Sequence, residues 1–197
     1  MPISNLDLAL SVALGIALAA TTGFRLFLPL LIASAAAYTG HLPLDENFAW
    51  LGTPVALTML GVAALIEVVT YYVPGIDNLL DALAMPTAFI VGTVLSAAVT
   101  TDLPPIVKWT VAVVAGGGTA GLTKGVTAMV RAKSTLFTGG VGNHVVVTAE
   151  LGSAILVPLL ALAAPFVALA LVILLLWVAF RMLRRLRRGA YQATAPH

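Results

Sequence analysis

LDLALSVALGIALAATTGFRLFLPLLIASAAAY, residues 6–38, is an apolar run of thirty-three residues. At 1.5 Å per residue it would make a helix of roughly 50 Å, whereas the hydrocarbon core of a bilayer is about 30 Å thick. The run also carries its own interruption, Thr21-Thr22-Gly23, followed by Arg25 and Pro29. Glycine and proline weaken or end helices, so the run reads as a hairpin, or as a re-entrant segment followed by a span.

The same reading extends outward. The chain has 197 residues, of which 60% are hydrophobic and 9% charged, with no cysteine and a mean hydropathy of +1.06. A soluble domain carries about a quarter charged residues, so this composition excludes a soluble globular protein, a disordered chain and a disulfide scaffold. The apolar residues are mostly Ala, Leu and Val without period-2 alternation, which points to helices and not to a membrane barrel.

Four further apolar blocks follow, at residues 50–73, 79–99, 106–130 and 145–180. The middle three are each about one span long, and the last is again too long, with Ala164-Pro165 as its breaker. The expected fold is an all-α polytopic transmembrane bundle of about five to seven membrane segments. Broken or re-entrant helices are expected near 21–25 and 164–165.

Five of the ten basic residues lie in one run, Arg181, Arg184, Arg185, Arg187 and Arg188. Directly after an apolar run, such a cluster is a positive-inside signal and not a nucleic-acid site. With this end in the cytoplasm, counting back places Arg131, Lys133 and the Pro74–Asp77 turn inside. Asp102, the Asp45-Glu46 loop and the N-terminus then fall outside. Residues 1–183 read as one integral membrane domain and 184–197 as a basic, unstructured cytoplasmic tail. The start, MPISNLDLAL, has no basic region ahead of its apolar stretch, so no cleaved signal is expected.

Charge is rare enough here that each intramembrane charge is a functional candidate. Glu67 lies six residues before the end of the second block, with Tyr71 one helical turn on as a potential donor. Pro74-Gly75 ends that helix. Asp77 is placed to cap the next one, and Asp81 shares its face. In AGGGTAGLTKG, residues 115–125, Gly117, Gly121 and Gly125 form a small-residue stripe for close helix packing. Lys124 adjoins the stripe, and has two readings: an internal partner for Glu67, Asp81 or Glu150, or a cation snorkelling to the cytoplasmic surface. Arg25 is likewise either a topology anchor or a partner for Glu67 or an anionic ligand. In TGGVGNHVVVTAE, residues 138–150, a Gly-rich loop is followed by Asn143 and Thr148, which offer neutral oxygens, and by Glu150. GG-x-G alone is a weak anion signal, and the Lys-Ser/Thr of a phosphate loop is missing. His144 has no second histidine at metal spacing, and no catalytic constellation or cofactor motif is visible.

The runs GFRLFLPLLIASAA, IEVVTYYVPGIDNLLDALAMPTAFIVG, AGGGTAGLTKG and STLFTGGVGNHVVVTAELGS occur in order over roughly residues 10–165. Together they resemble a family of small bacterial integral membrane proteins with a domain of unknown function. The resemblance implies a helical membrane protein and gives weight to Glu67, Asp77, Asp81 and Glu150. The chain departs from the usual pattern at Thr70–Pro74, where relatives often carry an acidic residue and Ala-Asp-Lys-Ile-Pro. It departs again at Asn143-His144 for Asn-Pro and at Glu150-Leu151 for Glu-Asp.

The expected function is therefore that of a transporter or channel-like protein of the bacterial inner membrane, homodimeric and not an enzyme. A carboxylate-centred polar pathway would serve an ion, a small solute or a lipid head group. The alternative is a non-transporting scaffold or partner subunit held by internal ion pairs and the glycine face.

Overall fold

The computed structural model describes residues 5–72, 76–101, 103–138 and 142–193. Among the described residues the regular structure is helical throughout. Four stretches are long and apolar enough to cross a membrane: Asn5–Thr22, Pro54–Tyr71, Pro105–Leu136 and His144–Ala163. Three shorter apolar helices, Phe27–Tyr38, Ala84–Val99 and Pro165–Val178, lie between and after them.

The first helix, α1 (Asn5–Thr22), is the axis of the bundle. Its residues Ala17 to Thr22 are all buried, so neighbours surround its second half on every side. Small side chains make this possible, because Ala, Gly and Thr let other backbones approach closely where lipid gives no hydrophobic drive. Helices α4 (Ile76–Val99), α6 (Gly118–Thr138), α7 (Asn143–Ala163) and α8 (Pro165–Ala193) pack around it.

The break in the first apolar run is real and sits where Thr-Thr-Gly places it. Thr21 and Thr22 turn their hydroxyls back onto the carbonyls of Leu18 and Ala19, at 2.6 and 2.7 Å, closing the helix end. A Cβ on Gly23 would lie 2.5 Å from both the Ala120 carbonyl oxygen and the Thr123 Cβ, so only glycine lets α1 end against α6. The chain restarts as α2 (Phe27–Tyr38), twelve residues or about 18 Å long. This is too short to cross about 30 Å of hydrocarbon.

Thr53 caps α3 (Pro54–Tyr71) by accepting the Ala56 N–H, with Pro54 at the first helical position. A stripe of α3, Val55, Met59, Val62, Ile66 and Val69, is exposed and apolar. In a bilayer that is the expected lipid face. Helix α5 (Pro105–Val111) runs into α6 through a π-helical turn, Ala112–Gly117, without a break. Here Gly116 and Gly117 lie against Ser96 and Thr93 of α4. The second expected break is also found, α7 ending at Ala163 and α8 starting at Pro165. Helix α8 continues through the arginine run to Ala193, with Arg181 and Arg184 stacked on Trp177 and Phe180 one turn earlier.

Candidate functional site

The carboxylate of Glu67, on α3, meets the start of α2. Its Oε1 accepts the N–H of Leu26 at 2.6 Å and its Oε2 the N–H of Phe27 at 3.0 Å. A helix N-terminus has orphan N–H groups and partial positive charge, and a carboxylate there satisfies both. No local side chain caps α2, and Leu26 at the capping position has none to offer. Glu67 is therefore the cap, supplied from another helix.

Tyr71, one turn further along α3, is the hub of a cationic group. The Arg25 guanidinium lies 3.9 Å from its ring centroid, that of Arg131 4.6 Å, and Lys124 Nζ 5.2 Å. Lys124 also donates to the Tyr71 hydroxyl at 3.0 Å. An electron-rich ring face attracts each cation, most strongly where water is excluded. Arg25 is 1% exposed, Lys124 3% and Arg131 4%. The Arg25 Nη2 reaches the Val147 carbonyl at 3.4 Å, while its Nε and Nη1 meet no acceptor among the described residues.

Arg131 forms a two-point pair with Glu150, through Nε to Oε1 at 3.1 Å and through Nη2 to Oε2. Both side chains are buried, and the pair ties α6 to α7. The arrangement is one polar cluster fed by the α1–α2 connector, α3, α6 and α7. Two mostly apolar clefts reach it. One, between α2, α3 and α4, is lined by Leu26, Phe27, Ile66, Glu67 and Tyr71, with Ala84. The other is lined by Phe24, residues of α6 and α7 including Glu150, and Leu175 and Leu176 of α8.

The structure thus gathers Arg25, Glu67, Tyr71, Lys124 and Glu150 of the sequence candidates. Lys124 is buried and points inward, where the Tyr71 hydroxyl, not a carboxylate, accepts its hydrogen bond. Thr148 stands apart: it is exposed, bonded to the His144 carbonyl, and 3.3 Å from the Tyr72 hydroxyl. The side chains of Asp77, Asp81 and Asn143 lie outside the described residues, as do Pro74 and Gly75. Of the glycine stripe, a Cβ on Gly125 would meet Met85 of α4 at 2.8 Å, and one on Gly117 would collide with Thr93. Gly121 has ordinary space, with Phe89 at 3.8 Å. The stripe's partner is α4 of the same chain.

Arg131 escaped notice as a site residue, although it lies seven positions, two helical turns, after Lys124 and so on the same face. Lys108 was missed as well. At the far end of the bundle its Nζ donates to Asp45 Oδ2 at 2.6 Å, and the Asp45 N–H bonds the Ala98 carbonyl at 2.8 Å. This pins the α2–α3 loop to α4 and α5. The hydrogen bond from Lys108 holds the Asp45 carboxyl below its ordinary value, against the opposing pull of desolvation. Among the described residues, no three His, Asp or Glu side chains gather as a metal site.

A family model described as a domain of unknown function (DUF4126) matches residues 12–185, and the chain belongs to that family. Comparison with curated proteins and with solved structures gives no match.

Proposed function

We propose that this family member is a small transporter of the bacterial inner membrane, with its C-terminus in the cytoplasm, and that the cluster around Tyr71 is its substrate-handling element. The observation that carries this reading is Glu67 at the start of α2. In transporters with broken helices, half-helix N-termini inside the bundle face the anionic groups of the substrate. Here an intramembrane carboxylate at the edge of a cleft takes that position at α2. Glu67 is the titrating group in this reading, Arg25 and Lys124 are its countercharges, and Glu150 is the second acceptor. The orientation is supported by the arginines of α8. A homodimer fits the exposed apolar faces as well as lipid does, and is part of the proposal.

The scaffold alternative draws on the Arg131–Glu150 and Lys108–Asp45 pairs, which satisfy themselves within the chain. Reconstituted flux separates the two. Full-length protein in liposomes enclosing a pH-sensitive dye is challenged with gradients of sodium, potassium, chloride and acetate. Transport predicts a saturable flux of at least one of these that Glu67→Gln abolishes. If every trace matches empty liposomes while Glu67→Gln merely lowers the melting temperature, the chain is a scaffold.

A further inference from the structure

The N-terminus of α2 is an anion seat, and in this structure the anion in it belongs to the chain itself. Immediately before that terminus stands Arg25, 1% exposed, with Nε and Nη1 lacking an acceptor among the described residues. A buried guanidinium calls for an oxyanion, because its forked donors match carboxylate geometry and are costly to leave unmade. Its guanidinium lies on the ring of Tyr71, which with Glu67 lines the cleft between α2, α3 and α4. Those two residues and Thr70 are the polar side chains of a lining otherwise made of Leu26, Phe27, Ala63, Ile66 and Ala84. Ile66 belongs to the exposed stripe of α3, so the cleft opens towards lipid.

We infer that this cleft takes a single-chain amphipathic anion from the bilayer, whose oxyanion head replaces the Glu67 carboxylate at the Leu26 and Phe27 amides and bonds Arg25. Glu67 leaves the seat by taking up one proton. The site gains one negative charge from the ligand and one positive charge from the proton, so its net charge is unchanged and one proton accompanies each anion. The charged neighbours of Glu67 are Arg25 of the connector and Lys124 of α6, and Tyr71 stands one turn further along its own helix. Beyond them lies the Arg131–Glu150 pair. Helix α2 adds only Tyr38, at its far end, and the acidic residues of α4 are Asp77 and Asp81. The inference rests on the transport reading for its purpose, but its test is a binding measurement.

The probe is octanesulfonate, whose charge does not titrate, so any pH dependence reports the protein. Binding to full-length protein in zwitterionic nanodiscs is measured by equilibrium dialysis, with empty nanodiscs as the blank, at about pH 5 and about pH 8. Binding is expected to be saturable and about tenfold tighter at the lower pH, and Arg25→Gln is expected to abolish it. Glu67→Gln, which cannot ionise, is expected to bind tightly at both. Methanesulfonate, lacking the tail, is expected to bind at least about tenfold more weakly. If Arg25→Gln fails to fold, the pH response of Glu67→Gln decides alone. Binding no greater than the blank, an unchanged pH response in Glu67→Gln, or equal affinity for methanesulfonate overturns the inference. Failure here alongside a Glu67-dependent flux of another ion leaves the transport reading standing. Binding as expected with no flux of any kind supports the inference and removes the transport reading.

Discussion

Glu67 Oε1 accepts the Leu26 N–H at 2.6 Å across 41 positions of sequence, so the break between α1 and α2 is closed from α3. Removing the carboxylate leaves two N–H groups of α2 without their partner. Glu67→Ala should cost about 2–3 kcal/mol, the range for a lost charged hydrogen bond with buried donors left over. Glu67→Gln keeps an acceptor oxygen and should cost about 1 kcal/mol. Thermal melts in detergent read both, and equal costs would deny Glu67 its capping role.

The Arg131–Glu150 pair makes a different prediction. Truncating one member strands a buried charge and should cost about 3–5 kcal/mol, whereas Arg131→Met with Glu150→Leu should recover most of that loss. A double-mutant cycle on melting temperature measures the coupling. Strict additivity would mean that the two side chains do not depend on each other.

Gly23 and Gly121 offer a matched pair of substitutions. Gly23→Ala puts a methyl into the Ala120 backbone and Thr123, and should destabilise by about 1–3 kcal/mol. Gly121→Ala meets only Phe89 at van der Waals distance and should stay within about 0.5 kcal/mol of wild type. The reverse order would show that α1 and α6 are not in contact at the break.

Asp45 gives a pH dependence of stability. Its carboxyl is held below the ordinary value by Lys108, so the unfolded chain binds its proton at a higher pH than the folded one. The contribution is complete above the unfolded value of about 3.9 and is lost as pH falls through the folded value. Melting temperature should therefore fall below about pH 4 in wild type and fall less in Asp45→Asn. Parallel curves for the two would remove Asp45 as a contributor.

Periodicity and breakers made the helices readable. Thr-Thr-Gly and Ala-Pro end helices by local chemistry, and the structure ends α1 and α7 there. Glu67 was readable as a buried carboxylate because lipid makes any charge conspicuous. Its partner was not, since the bonds go to backbone N–H groups that almost every residue owns. Arg131 carried a helical-spacing signal but also sat in a basic stretch that positive-inside reasoning explained away. The spacing of Gly117, Gly121 and Gly125 assumes an unbroken α-helical period, and Gly117 is the last residue of a π turn. A π turn is a rare single-turn insertion in an α-helix, and the 3.6-residue period used to place the glycines does not allow for one.

That turn has a consequence for the two lysines of the helix it interrupts. Lys108 and Lys124 stand sixteen positions apart, and in an unbroken α-helix they would point about 160° away from each other. One would then face the protein and the other the lipid. The wider turn at Ala112–Gly117 winds less per residue and rotates α6 back relative to α5. A single rod thereby delivers an inward lysine to Asp45 at one mouth of the bundle and another to Tyr71 at the other. Its phase, set by six residues, keeps both in register with the interior.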